Sequence, residues 1–204
     1  MLETPLDVTK PKFNPLLNTL ARLGVQHATN GLSDMAGEEF TASEPELVAV
    51  PVLKVPEYVG GQENEAVGVY LRARGEASGQ FMLILPITNA LEFIDLMLME
   101  PLGTTQELDA MGRSALAEIG NMVGSFFLNS IAELTGLETR PTDPDVMFDM
   151  VGAILDVVVA TSAEHVEEII IISTNIIHGG RHTQAIFWYI PDSKTMEVLN
   201  AKFS

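Results

Sequence analysis

Between Gln106 and Leu134 the chain carries no proline, and its apolar and small residues recur at helical spacing: Leu108, Gly112, Ala115, Ile119, Val123, Phe126, Ser130 and Leu134. At about 100° per residue these fall on one side of a helix. Ser114, Glu118, Asn121 and Ser125 lie within ~60° of one another on the opposite side. Ala117, Gly120 and Gly124 form a third stripe of small residues, one that would let another helix backbone approach closely. The pattern predicts a long helix presenting a carboxylate and a carboxamide one turn apart, flanked by two hydroxyls. Every amphipathic surface helix has a polar face, and Glu with Asn on it is ordinarily just solvated. Here, however, Asn, Ser and two glycines give up helix propensity where Lys, Glu and Gln would keep it. Those positions answer to something other than helix formation.

The rest of the chain reads as two rounds of similar elements. Residues 1–12 form a loose, proline-bearing lead-in. A first helix follows from about Asn14 to Ala36, with Leu16, Leu20, Leu23, His27 and Met35 among its candidates for burial. Leu47–Val52 reads as a strand that Pro51 places at an edge or a bend. Ala66–Arg74 and Gln80–Leu85 are strands joined by a turn at Gly75–Gly79. Thr88-Asn89 caps a short helix to about Met99, and Pro101-Leu102-Gly103 breaks it. Past Leu134, the run Gly136–Pro144 is a loop, and 147–160 is apolar and ambiguous between helix and strand. Glu168–Asn175, with four consecutive isoleucines, is a buried strand. A turn at His178–His182, a strand at Thr183–Ile190 and a short helix to about Asn200 complete the chain.

Shifting the sequence by 96 residues lays the first helix on the long one without a gap: Leu20, Ala21, Gly24, Leu32 and Ala36 match Leu116, Ala117, Gly120, Leu128 and Ala132. Gln80–Pro86 matches Ala185–Pro191 at a shift of 105. An internal repeat of this size implies a pseudo-twofold domain, here 13–204, with halves of about 13–105 and 106–204. The small stripes Gly24/Ala28 and Gly120/Gly124 are natural packing sites for the paired helices. The repeat also serves as a control. Where the second half has Ser114, Glu118 and Asn121, the first has Asn18, Arg22 and Val25. The scaffold residues match while the polar triplet does not, so the fold does not require the triplet.

Composition narrows the function. The 204 residues are 47% hydrophobic, enough to bury a sizeable core. With 28 acidic against 11 basic residues the formal charge is −17, which disfavours nucleic acid and an anionic membrane surface. It fits either solubility at high salt or a basic partner. Without cysteine there is no disulfide, thiol nucleophile or Cys-zinc site. The first residues lack the pattern of a signal peptide and no run is long enough to span a membrane, so a cytoplasmic protein is expected. His178 and His182 bracket two glycines and read as a turn rather than a metal pair, and His27 and His165 stand alone.

On Ser114, Glu118, Asn121, Gly124, Leu128 and Pro141, the chain resembles the CheC/CheX/FliY family of chemotaxis phosphatases. That family's motif is Asp or Ser, three residues, Glu, two residues, Asn, then Gly, Leu and a downstream Pro. The resemblance covers nearly 14–200 and implies an α+β fold, a pseudo-twofold tandem repeat with long paired helices on a mostly antiparallel sheet. It implies hydrolysis of the aspartyl phosphate of a response regulator, typically CheY, which carries its own Mg²⁺; no metal or other cofactor is required of this chain. By resemblance Asn121 positions the attacking water and Glu118 pairs with the regulator's active-site Lys. Ser114, Met122 and Ser125 are assigned to partner contact. Many relatives carry two intact motifs; Arg22 and Val25 break the first here, which implies one centre at most. An alternative is a non-catalytic adapter that binds CheY or the receptor deamidase CheD. A flagellar switch component like FliY is a weaker third reading, for want of an extra C-terminal switch domain.

Overall fold

The computed structural model describes residues 15–162 and 166–201. The lead-in, the expected helix start at Asn14, the side chain of Leu16, and His165 lie outside the described residues. The first half runs from helix α1 (Pro15–Ala36) through strands β1 (Thr41–Ala42) and β2 (Glu46–Pro51) and a 3-10 helix (Val52–Val59). It continues in the hairpin β3 (Glu65–Gly75) and β4 (Gly79–Pro86) and helix α2 (Ile87–Met97). The second half repeats the order: α3 (Ala110–Thr135), β5 (Thr139–Pro141), β6 (Asp145–Met150), α4 (Val151–Ala160), the hairpin β7 (Glu168–His178) and β8 (Arg181–Pro191), and α5 (Ser193–Ala201).

All strand pairings are antiparallel, and the two hairpins join at the centre of the sheet through β4 and β8. The edges are exchanged between halves. β1 and β2 pair with β7 of the second half, and β5 and β6 pair with β3 of the first. Each half therefore completes the other's sheet.

The sheet is covered on both faces, which explains its unbroken apolar strands. In β7, Ile170 and Ile172 enter the core shared with α1 and α3, while Ile169 and Ile171 enter a second core under α4 and the 3-10 helix. Alternation along a strand sends neighbours to opposite faces, so four isoleucines in a row bury two on each side. The β7–β8 turn is made by Gly179 and Gly180 at φ 56° and 78°, left-handed values that favour glycine.

Several local expectations change. The ambiguous 147–160 is both things: β6 ends at Met150, and α4 starts at Val151. The expected loop after Gly136 contains the short strand β5. Thr88 and Asn89 do not cap α2; that helix begins directly after Pro86, without a side-chain cap, and Asn89 donates from inside it to the Gln184 carbonyl. Proline's fixed φ and the turn out of β4 start the helix instead. Met35 is 40% exposed rather than buried.

The long helix starts four residues later than the periodicity implied, at Ala110. Asp109 caps it, its carboxylate accepting from the Gly112 N–H at 2.8 Å. Its buried side is wider than the expected stripe. Leu116, Phe127, Leu128 and Ile131 are buried, while Ala115, Phe126 and Leu134 are only half-buried, because α3 packs on the sheet below, on α1 beside it and, at Gly112, on Ile94 of α2. Gly24 accommodates Phe127, and Gly31 faces Met122 and Phe126, so α1 and α3 run antiparallel. Gly120 and Gly124 do not meet a helix. A Cβ on Gly120 would lie 2.2 Å from Val69, and one on Gly124 would lie 2.7 Å from Leu71, both on β3. The small stripe seats α3 on the sheet.

Candidate functional site

With one side of α3 pressed on β3 and another on α1, its remaining side faces solvent. Ser114 and Glu118 are exposed there, and Asn121 and Ser125 half-buried. None of these four side chains takes part in a hydrogen bond or ion pair within the described residues. The backbone beneath them is held: Leu116 is 0% exposed, Ile119 2% and Val123 5%. Gly120, next to Asn121, fixes the helix against Val69. These polar groups are thus left without intramolecular partners, among the described residues, on a backbone held firmly from behind. The structure brings Ser114, Glu118, Asn121 and Ser125 onto one face as the spacing predicted. Met122 is turned toward α1, its sulfur beside Gly31, and packs against the core.

The matching surface of α1 is chemically different. Asn18 and Arg22 are exposed, but Val25 is 7% exposed and belongs to the packing. Arg22 lies 3.6 Å from the Glu44 carboxylate. One half thus offers an unpaired carboxylate and a carboxamide, and the other a paired guanidinium and a valine.

Periodicity gave no hint of how the segment leading into α3 is held. Asp95, near the end of α2, is 0% exposed. Its carboxylate accepts from the backbone N–H groups of Gly103, Thr104 and Thr105 at 2.6, 3.1 and 2.8 Å. Burial alone would raise its pKa, but hydrogen bonds from Thr105, Gly103 and Thr104 outweigh it and hold the group below the ordinary value. The available signal was an aspartate between Ile94 and Leu96 in the apolar α2, eight residues before Gly103-Thr104-Thr105.

His178 stacks on Phe40 with ring centres 4.4 Å apart and bonds the Glu38 carboxylate, tying the end of β7 to the segment after α1. Among the described residues no group of three His, Asp or Glu side chains could hold a metal ion. No helix among them is long and apolar enough to cross a membrane.

Paired antiparallel helices over a sheet with exchanged edges form a fold that solved structures share. The chain resembles Thermotoga maritima FliY with a TM-score of 0.74 at 18% identity, covering 100% of this chain and 98% of that one. It resembles the FliM middle domain of Vibrio alginolyticus with a TM-score of 0.64 at 13% identity, covering 92% and 99%. Residues 111–147, which hold Ser114, Glu118 and Asn121, match the model of the CheC-like family. It is 24% identical over 188 residues to the CheY-P phosphatase CheC of Bacillus subtilis, covering 90% of each chain.

Proposed function

We propose that the chain hydrolyses the aspartyl phosphate of a CheY-like response regulator at a single centre on α3. The observation that carries this is the unpartnered face of Ser114, Glu118, Asn121 and Ser125 on a helix locked from behind. An acyl phosphate is intrinsically labile, so a phosphatase needs chiefly to hold a water in line with phosphorus. The Asn121 carboxamide suits that role, because its carbonyl accepts from the water while its NH₂ donates to an oxygen. Glu118, one turn earlier, pairs with a lysine of the regulator and sets the docking register. Ser114 and Ser125 contact the partner on either side, and Met122 supports that surface from the α1 seam. The regulator brings its own Mg²⁺.

The test is the dephosphorylation rate of the cognate phospho-regulator with and without the protein, in moderate and in high salt. Asn121→Ala removes the acceleration, about a hundredfold or more, with the fold intact. Wild-type turnover in that variant would remove Asn121 from the mechanism. Glu118→Ala lowers binding and rate together.

A second reading is an adapter that binds the regulator, or the receptor deamidase CheD, without turnover. The replaced residues on α1 and the charge of −17 favour it. Binding without acceleration in either salt would decide for it.

A further inference from the structure

The sheet face away from α1 and α3 ends in a cluster of arginines. Along β3, Val67, Val69, Leu71 and Ala73 face the α1/α3 core, and Ala66 and Tyr70 the α4 core. Arg72 and Arg74 continue the second series. Arg140 stands directly opposite Arg74 in the β3–β5 ladder and so points the same way. All three are exposed, and none makes an ion pair within the described residues. Arg22 and Lys54, by contrast, each lie against a carboxylate. In a chain with 28 acidic and 11 basic residues, an acidic neighbour for each would have been easy to supply. Like charges directly opposite also weaken a ladder. The arrangement disfavours the fold locally and points to use.

Arg72 is held in place. Its Nε donates to Tyr70 Oη at 3.0 Å, and its guanidinium carbon lies 5.9 Å from the ring centre. Tyr70 Oη is 2.9 Å from the side-chain amide of Gln80, which is 8% exposed, and 3.3 Å from the Thr161 hydroxyl. This network fixes the guanidinium through its inner nitrogen and leaves its outer edge free, the edge that takes a carboxylate through two parallel bonds. Beside Arg72 and Arg74 opens a recess of about 550 Å³, with Gln80 among its lining and Glu167, Glu168 and Glu197 also on its wall.

We propose that Arg72, Arg74 and Arg140 form a docking patch for an extended acidic segment of a partner protein. Arg72 and Arg74 are two residues apart on a strand, about 6.5–7 Å, the spacing of alternate side chains in an extended peptide. Arg140 lies roughly 5 Å to the side. The segment that fits carries carboxylates at alternate positions. A long polyanion such as nucleic acid does not fit, because the arginines cover only about two strand residues and the recess beyond them is walled by Glu167, Glu168 and Glu197. The patch and the Glu118/Asn121 face lie on opposite sides of the sheet, so this docking stands apart from the proposed hydrolysis.

The experiment uses the full chain and a fluorescein-labelled alternating Glu-Thr octapeptide, read by anisotropy at low ionic strength, with the matching Gln-Thr peptide as control. The test variant is Arg74→Gln with Arg140→Gln, which leaves the Arg72–Tyr70–Gln80 network untouched. Saturable binding by wild type, weakened about tenfold or more by the Gln peptide and by the double variant (~1.4 kcal/mol), is the expected result. The variant's unfolding midpoint stays equal or rises, because a like-charge pair is relieved. If the double variant unfolds early, Arg140→Gln alone is read in its place and must still weaken binding. Arg22→Gln removes the same charge elsewhere and leaves affinity unchanged. Absence of saturable binding, equal affinity in the variants of the patch, or equal loss in Arg22→Gln overturns the proposal.

Discussion

Alanine at Gly120 tests how closely α3 is seated on β3. Its methyl carbon would lie 2.2 Å from Val69 Cγ1 and 2.9 Å from Val69 Cβ. Comfortable carbon contacts are about 3.5–4.0 Å, so the helix or the strand must move by more than an ångström. Val69 is 0% exposed and β-branched, and cannot swing aside cheaply. Overpacking of this kind costs about 1–3 kcal/mol, and replacing a helical glycine by alanine returns about 1 kcal/mol. At Gly124 the methyl would meet Leu71 Cδ2 at 2.7 Å and Cδ1 at 2.8 Å, the movable end of a side chain. Gly124→Ala should therefore be near neutral, and Gly120→Ala, whose 2.2 Å contact puts it at the upper end of the overpacking cost, destabilising by about 1–2 kcal/mol. The chain's single tryptophan, Trp188, is 0% exposed in the opposite core, so its emission reports global unfolding in denaturant. Gly120→Ala lowers the midpoint at unchanged slope. Adding Val69→Ala makes the double variant less destabilised than the sum of the two single changes. Gly120→Ala as stable as wild type, or indistinguishable from Gly124→Ala, would refute the seating.

Other measurements probe the segment that delivers α3. Asp95→Asn replaces a buried carboxylate with an amide whose NH₂ cannot accept, and should cost about 1–3 kcal/mol in denaturant unfolding. Asp95 and Asp192 both sit below their ordinary value of 3.8 despite burial, because hydrogen bonds favour the ionised form. The stability they add is fully present above pH 3.8 and is lost as pH falls through the lowered folded values. Asp95→Asn should accordingly flatten the acid limb of the stability curve below pH 3.8; an unchanged limb would exclude Asp95 as a source. Asp109→Ala removes the α3 cap and should cost about 1 kcal/mol, visible as a lower midpoint and as faster amide exchange in the first turn.

The elements written in local rules could be read from the sequence. Apolar runs of strand length, glycine turns, helical spacing and the 96-residue register gave the hairpins, the repeat and the shared face of Ser114, Glu118, Asn121 and Ser125. What depends on contact between distant segments could not be read. A helical wheel showed that Gly120 and Gly124 share a stripe, but not that Val69 and Leu71 would fill it. Met122 sits beside Asn121 in sequence, yet one position along a helix turns a side chain by about 100°, enough to point it at α1. Three arginines drawn from opposite halves of the chain gave no local signal, because only strand pairing sets Arg140 against Arg74. The proline before α2 replaced the Thr88-Asn89 cap because the exit from β4, not capping, decides where that helix begins.

The exchanged edge strands also bear on how the chain must be made. During synthesis the first half emerges with its β3–β4 hairpin finished, but the strands that cover β3, Thr139–Pro141 and Asp145–Met150, come later. Its own β2 has nothing to pair with until β7 arrives at Glu168–His178. Through that interval unpaired edges on β2, β3 and β4 stand open on the nascent chain, the kind of template on which chains join one another. Folding then closes late and cooperatively across long sequence separations, a slow route. Neither half amounts to a folding unit. A chain severed between α2 and α3 should yield two fragments that are poorly soluble apart and regain a complete sheet when refolded together.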